Sequence, residues 1–272
     1  MTAGVVRIDD PLDPRIEGFT QVRERDLIGR EGKFIAEGEV VLRHLLASSR
    51  CEPLALLAAE DRLGRLKSLI GDREVAAPIY VASQAVMDSI VGFPIHRGLL
   101  GLGRLRARPS AAQLLAGLGD QALVVVVHGV GNHDNMGGLF RNAAAFGADA
   151  VLIDATCCDP LYRKAIRVSV GAALIMPFTR LEAGEDLLEA LRAARLDPVA
   201  LTPSGQHVLA HFQPGARSAV IFGAEGPGLP ADLLSEARTV RIPMAEGFDS
   251  LNVATTSGVV LHHFAARGAG RS

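Results

Sequence analysis

Hydrophobic positions in this chain follow two regimes. Up to about residue 105 they come in short runs broken by charge. From residue 121 they form continuous β-branched runs separated by helical stripes. In the first regime, FIAEGEVVLRHLLAS (34–48) puts Val40, Val41, Leu45 and Leu46 on one stripe, which predicts an amphipathic helix. Residues 16–30 hold few strong apolar positions and predict a short helix with loops. LALLAAE after Pro53 is a short apolar run, and a charged helix is expected near 61–71. A strand over 77–83, a helix over 84–92 and a strand or loop over 98–105 complete a small α/β domain.

The second regime alternates more sharply. ALVVVV (122–127) has the unbroken apolar character of a parallel strand covered on both faces. A Gly/Asn-rich loop, a helix over 136–147 and a strand over 149–154 follow. PLYRKAIRVSVG predicts a helix, LIMPF a short strand, and residues 181–196 another helix. Strands are expected at DPVALTP, 217–223 and 239–243, with a closing helix from Leu251 to Ala266. Repeated strand–helix units of this length predict an α/β fold with a parallel sheet. ARPSAAQLLAG (107–117) has the composition of a connection, so domains are expected over 1–108 and 119–272, with a linker at 109–118.

Composition narrows the class without naming a function. The 272 residues are 49% apolar and 21% charged, as in ordinary globular domains. Three cysteines, two of them adjacent (Cys157, Cys158), do not form a disulfide framework. MTAGVVRIDDPLDPR carries acids and prolines where an export signal needs an apolar stretch, and a cytoplasmic protein is expected. The net charge of −2 is not that of an evident nucleic-acid binder. Local clusters say more: Arg23, Arg25, Arg30 and Lys33, then Arg97, Arg104, Arg106 and Arg108. No acid lies between His96 and Arg108, so the second cluster is the stronger candidate for binding phosphates.

Three segments place Gly, Asn, Ser and Glu where a strand's carboxyl end would not otherwise need them: 128–147, 222–229 and 242–261. The first lacks the G-x-G-x-x-G spacing of a dinucleotide-binding loop, and Asp154 is the nearest candidate for a ribose-binding acid. Alone, FGAEGPGL reads as a plain turn, and Ser250 and Asn252 as caps of the closing helix, with Ser250 or Asp249 the stronger choice. His128, His133 and the adjacent His262–His263 do not have metal-ligand spacing, so no metal is expected.

Taken together, the order and spacing of these segments resemble the three motifs of the SpoU/TrmH family of RNA ribose methyltransferases, within the SPOUT superfamily. The matching residues are Asn135, Gly137, Arg141 and Phe146–Gly147; Gly223, Glu225 and Gly228; and Ile242–Pro243–Met244 with Ser250–Leu251–Asn252–Val253. His133–Asp134 and the run Met136–Gly137–Gly138 depart from the common pattern within the first motif. FIAEGEVVLRHLL and IVGFPIHRGLLGLGR resemble a substrate-binding domain related to ribosomal RNA-binding proteins.

The resemblance implies a homodimeric enzyme with a deep trefoil knot that transfers a methyl group from S-adenosylmethionine to a ribose 2′-hydroxyl in structured RNA. Ribosomal RNA is favoured over transfer RNA as the substrate. Gly223, Glu225, Gly226, Ile242, Met244, Leu251 and Val253 would line the cofactor site. Arg141, Asn135, Glu225, Ser250 and Asn252 would serve catalysis, and Arg97, Arg104, Arg106 and Arg108 would meet RNA. A guanidinium keeps its proton at ordinary pH, so Arg141 is read as a clamp on the phosphate beside the target ribose. The alternative family reading makes it a phosphate-assisted base. A base-modifying enzyme and a non-catalytic RNA-binding protein are the other readings.

Overall fold

The computed structural model describes residues 4–20, 32–91, 98–226, 228–248 and 250–267. Its contacts divide the chain into two units: Met1–Ala107 with Asp159–Ile175, and Arg108–Cys158 with Met176–Ser272. A single cut near residue 108 therefore does not separate them, because the segment after Cys158 returns to the first unit.

In the first unit, β1 (Val5–Ile8), β2 (Lys33–Glu37), β3 (Cys51–Ala59), β4 (Ile79–Ala82) and β5 (Leu99–Leu105) form one sheet in the order β1-β4-β3-β5-β2. Helices α1 (Glu39–Ala47), α2 (Leu63–Ile70) and α3 (Gln84–Val91) connect them. The helix expected over 34–48 is thus a strand followed by a helix. Gly38, at φ 90°, turns the chain between the two. Phe34 pairs with Gly103 of β5, where even a Cβ would come within 2.7 Å of the Phe34 ring. The same pairing makes Leu99–Leu105, expected as a strand or loop, a strand. Pro14–Phe19 is a 3-10 turn, and residues 21–30 of the helix predicted there lie outside the described residues.

The returning segment carries α6 (Arg163–Val168) and α7 (Ala172–Ile175). LIMPF is therefore not one strand: Leu174 and Ile175 are helical, and the strand begins at Phe178. The Ser48 hydroxyl donates to the Leu174 carbonyl at 2.7 Å, and Arg163 donates to Glu37 at 2.9 and 3.1 Å.

The second unit is built on a seven-stranded, wholly parallel sheet. Its strands are β6 (Ala122–His128), β7 (Ala150–Ile153), β8 (Phe178–Arg180), β9 (Asp197–Leu201), β10 (His207–Val208), β11 (Arg217–Gly223) and β12 (Arg238–Arg241), in the order β10-β12-β9-β11-β6-β7-β8. Val124 to Val127 are fully buried, as their unbroken apolar run predicts. Helices α4 (Ala111–Ala116), α5 (His133–Ala145), α8 (Leu187–Ala193), α9 (Ala231–Glu236) and α10 (Val253–Arg267) accompany the sheet. The expected linker contains α4, started by a reciprocal Ser110–Gln113 capping box. Among the described residues, no helix is long and apolar enough to cross a membrane.

Strand order reverses at β6, whose neighbours are β7 and β11. The first motif leaves the carboxyl end of β6, the second that of β11, and the third that of β12. Parallel sheets bind ligands at such a switch point.

Candidate functional site

The loop after β6 enters α5 through Asn132, whose side-chain oxygen accepts the amide protons of Asp134 (2.8 Å) and Asn135 (3.3 Å). This cap fixes the first helical turn. The Asn135 side chain, 8% exposed, then donates to Glu225 Oε1 at 3.1 Å. Asn252 Nδ2 reaches both Asn135 Oδ1 (2.8 Å) and Glu225 Oε1 (2.9 Å). The Val253 amide also points at Glu225 Oε1, at 3.4 Å. One residue from each motif thus meets at a single carboxylate oxygen.

Asn252 has a second function. Its Oδ1 accepts the Ala254 and Thr255 amides, at 3.0 and 3.1 Å, and so caps α10. Of the residues read as caps from sequence, Asn252 is therefore the one that caps α10, rather than the preferred Ser250; Asp249 lies outside the described residues. Ser250 is exposed on the wall of the neighbouring cavity.

That cavity, about 490 Å³, opens between the carboxyl ends of β9, β11 and β12. Gly223, Glu225, Gly226, Ile242, Met244, Leu251 and Val253 all line it, as do Ser250 and Asn252. Its size lies within the usual range for small-molecule sites. Leu201, Thr202 and Pro203 at the end of β9, with Thr256 on α10, add to the wall. Sequence reading missed these residues because the β9 end carries no Gly/Asn signature.

The glycine turn has two physical causes. Gly226 and Gly228 adopt φ of 92° and 68°, which side chains disfavour. Gly223 has a different constraint: a Cβ there would lie 2.9 Å from the Gly228 carbonyl carbon and from Leu229. Its small size thus lets the turn close on itself.

Arg141 lies on α5, outside the cavity wall. It is exposed and makes no hydrogen bond or ion pair with any described residue. Its charge is available to an anionic partner.

Beside the site, His128 Nδ1 lies 3.0 Å from Asp154 Oδ2, which also accepts the Gly129 amide at 3.0 Å. Burial would raise the Asp154 pKa, but hydrogen bonds from Cys157 and Thr156 and the proximity of His128 outweigh it and hold the carboxyl below its ordinary value. The Cys157 thiol is pushed up to about 12, first by burial and then by Asp154, so it is not a nucleophile at neutral pH. Among the described residues, no three His, Cys, Asp or Glu side chains gather as a metal site.

The described arginines assigned to RNA are divided between the two units. Arg97 lies outside the described residues. Arg104 and Arg106, both exposed in the first unit, share Glu52 from β3, with Arg106 at 3.3 Å. Arg108 belongs to the second unit, its guanidinium 5.6 Å from the Phe178 ring centre. The sequence interval from His96 to Arg108 has no acid, but strand pairing supplies one: Glu52 is the register partner of Arg104. Pairing also brings Lys33 opposite Arg104, joining residues of two separate sequence clusters.

Comparison with known proteins agrees with this geometry. Residues 122–262 match the model of the SpoU rRNA Methylase family. The chain is similar to a Mycobacterium bovis protein described as an uncharacterized tRNA/rRNA methyltransferase, 41% identical over 93% of this chain and 89% of the relative. It is also similar to the Escherichia coli 23S rRNA (guanosine-2′-O-)-methyltransferase RlmB, 28% identical over 77% of this chain and 87% of that protein. An AdoMet-bound rRNA methyltransferase from Sinorhizobium meliloti shares the fold, with a TM-score of 0.79 and 23% identity over 97% of this chain and 98% of that one.

Proposed function

The chain belongs to the SpoU rRNA Methylase family, and from that premise we propose that it methylates a ribose 2′-hydroxyl of structured RNA, using S-adenosylmethionine. The observation that carries this reading is the convergence of the three motifs. Every residue assigned to the cofactor from sequence lines one cavity, and Asn135 of the first motif bonds to Glu225 and Asn252 in its wall. The cavity suits the cofactor chemically. Leu201, Phe222, Val240 and Ile242 offer apolar surface to a purine, and the glycine turn offers backbone groups. The cofactor would supply an electrophilic methyl group.

The chain's own residues hold the acceptor. Arg141 is free to grip a phosphate next to the target ribose by paired hydrogen bonds, fixing the 2′-oxygen for in-line attack. Asn135, Glu225 and Asn252 order the loops around it. Ser250 faces the same cavity and can bond to ribose or cofactor. In this reading the segments after β11 and β12 form the family's trefoil knot around the cofactor. Phe248, Leu251 and Val259 are exposed apolar residues on and before α10, and they support a homodimer that buries them.

The first unit would hold the RNA backbone, with Lys33, Arg104 and Arg106 at one end of its sheet. With only Tyr80 and Tyr162 and no Trp, shape and phosphate contacts should outweigh base stacking. Ribosomal RNA is the preferred substrate, in line with the similarity to RlmB, and transfer RNA is the alternative. The test uses S-adenosylmethionine labelled in its methyl group and total RNA from cells lacking the gene. Wild-type protein should leave label in nucleotides resistant to alkaline cleavage, while Arg141→Ala should bind the cofactor normally and transfer almost none. Label confined to alkali-sensitive nucleotides would move the reaction from ribose to base.

A further inference from the structure

Residues Asn135, Gly138 and Asn142 share one face of α5, at the i, i+3, i+7 spacing that aligns side chains along a helix. All three meet the start of α10. Asn135 bonds to Asn252 at 2.8 Å. A Cβ at Gly138 would lie 2.5 Å from the Ala254 Cβ, so the two helices approach there as closely as glycine permits. Asn142 Nδ2 donates to the Ala254 carbonyl at 2.7 Å and to the Ser257 hydroxyl at 2.9 Å. Ser257 is fully buried, and its own hydroxyl donates back to Ala254 at 2.8 Å. The seam continues at Phe146, whose ring meets His262 edge-on with centres 5.8 Å apart.

We propose that Gly138 and Asn142 are positioning residues, and that this seam sets the place of Arg141 relative to the cofactor cavity. The proposal rests on the reading of Arg141 as the residue that holds the acceptor ribose. Arg141 precedes Asn142 in the same helical turn. On the other side of the seam, Asn252, Val253 and Thr256 are cavity wall. The helix start that seats α5 is therefore also part of the cofactor site. Guanidinium groups sit far from the helix axis, so a roll of α5 by roughly 10° moves the Arg141 head by ~1 Å, enough to disturb a near-attack geometry.

Four variants test this: Gly138→Ala, Ala254→Gly, the double variant, and Asn142→Ala. Each is measured for initial methyl transfer at saturating total RNA from cells lacking the gene, for S-adenosylmethionine affinity by calorimetry, and for Tm. Gly138→Ala should lower the rate tenfold or more with cofactor affinity changed less than threefold. Adding Ala254→Gly removes the clashing methyl and should restore at least half of the lost activity. Asn142→Ala should reproduce the rate loss at temperatures well below its Tm. Should Gly138→Ala fail to fold, Asn142→Ala and the double variant carry the same comparison. Rates within twofold of wild type for folded Gly138→Ala or Asn142→Ala would overturn the proposal if Arg141→Ala is inactive in the same assay. If Arg141→Ala turns over normally, the reading of Arg141 fails instead, and the proposal fails with it.

Discussion

Asn135 and Glu225 lie 90 residues apart in the chain and meet at 3.1 Å, with Asn135 donating to the carboxylate oxygen that Asn252 also reaches. Asn135 is buried, whereas Glu225 and Asn252 are exposed, so water can replace most of the bonds but not the one to Asn135. Glu225→Ala should therefore cost only ~1 kcal/mol of stability, the scale of one buried amide left without its acceptor. Its effect on the site should be larger, because three loops lose their common anchor. We expect S-adenosylmethionine affinity to fall at least tenfold in Glu225→Ala and to recover in Glu225→Gln, which retains a carbonyl oxygen at that place. Calorimetry and thermal melts on the two variants check this, and equal affinities for both would mean that charge alone matters there.

Gly223 separates two reasons for a glycine in a binding loop. If it were small to admit a ligand, Gly223→Ala would weaken only binding. The structure instead puts the missing Cβ 2.9 Å from Gly228 backbone and Leu229. Gly223→Ala should thus displace the turn, losing both cofactor affinity and stability, the latter by ~1–3 kcal/mol as for other overpacked sites. A variant with lost affinity and an unchanged Tm would restore the ligand-clearance explanation.

Glu52 neutralises part of the cationic end of the first sheet, because Arg104 and Arg106 both pair with it. These pairs are largely solvent-exposed and contribute little to stability. Glu52→Gln should leave Tm within a few degrees and tighten RNA binding, with a steeper dependence on salt as more counterions are released. Arg104→Ala with Arg106→Ala should weaken binding and flatten the slope. Filter binding of total ribosomal RNA from 50 to 200 mM salt reads both, the range over which phosphate contacts weaken markedly. An unchanged slope in both variants would remove this surface from the RNA interface.

Sequence pattern was most informative where burial alone dictates structure. The valines of β6 are covered on both faces, and their unbroken run predicts that. The three motifs were legible because loops that must turn sharply and bond to each other need particular residues, such as Gly226 at φ 92° or Asn132 and Asn252 as caps. Cross-strand partners were not legible. Nothing local in FIAEGEVVL shows that Phe34 will face Gly103, so a helical stripe extended backward over a strand. Likewise the acid that meets Arg104 lies 52 residues away in sequence. The return of Asp159–Ile175 to the first unit was hidden for the same reason: amphipathic helices show which face is buried, but not against what.

That return decides how the chain tolerates cutting. Removing residues 1–107 looks safe from sequence, since all three motifs lie beyond them. Yet Leu161, Ile166 and Leu174 are each 1% exposed or less, and they belong to the segment that packs with the first unit. Arg163 would lose Glu37, and the Leu174 carbonyl would lose the Ser48 hydroxyl. Uncovering three large apolar side chains costs on the order of 1.5–3 kcal/mol each, against a typical total stability of about 5–15 kcal/mol. The fragment 108–272 should therefore melt well below the full chain, bind a hydrophobic dye and tend to aggregate. Supplying residues 1–107 in trans should reduce dye binding. A fragment that melts cooperatively at the full chain's temperature without the dye signal would show that α6 and α7 find other cover, and that the first unit is dispensable for folding.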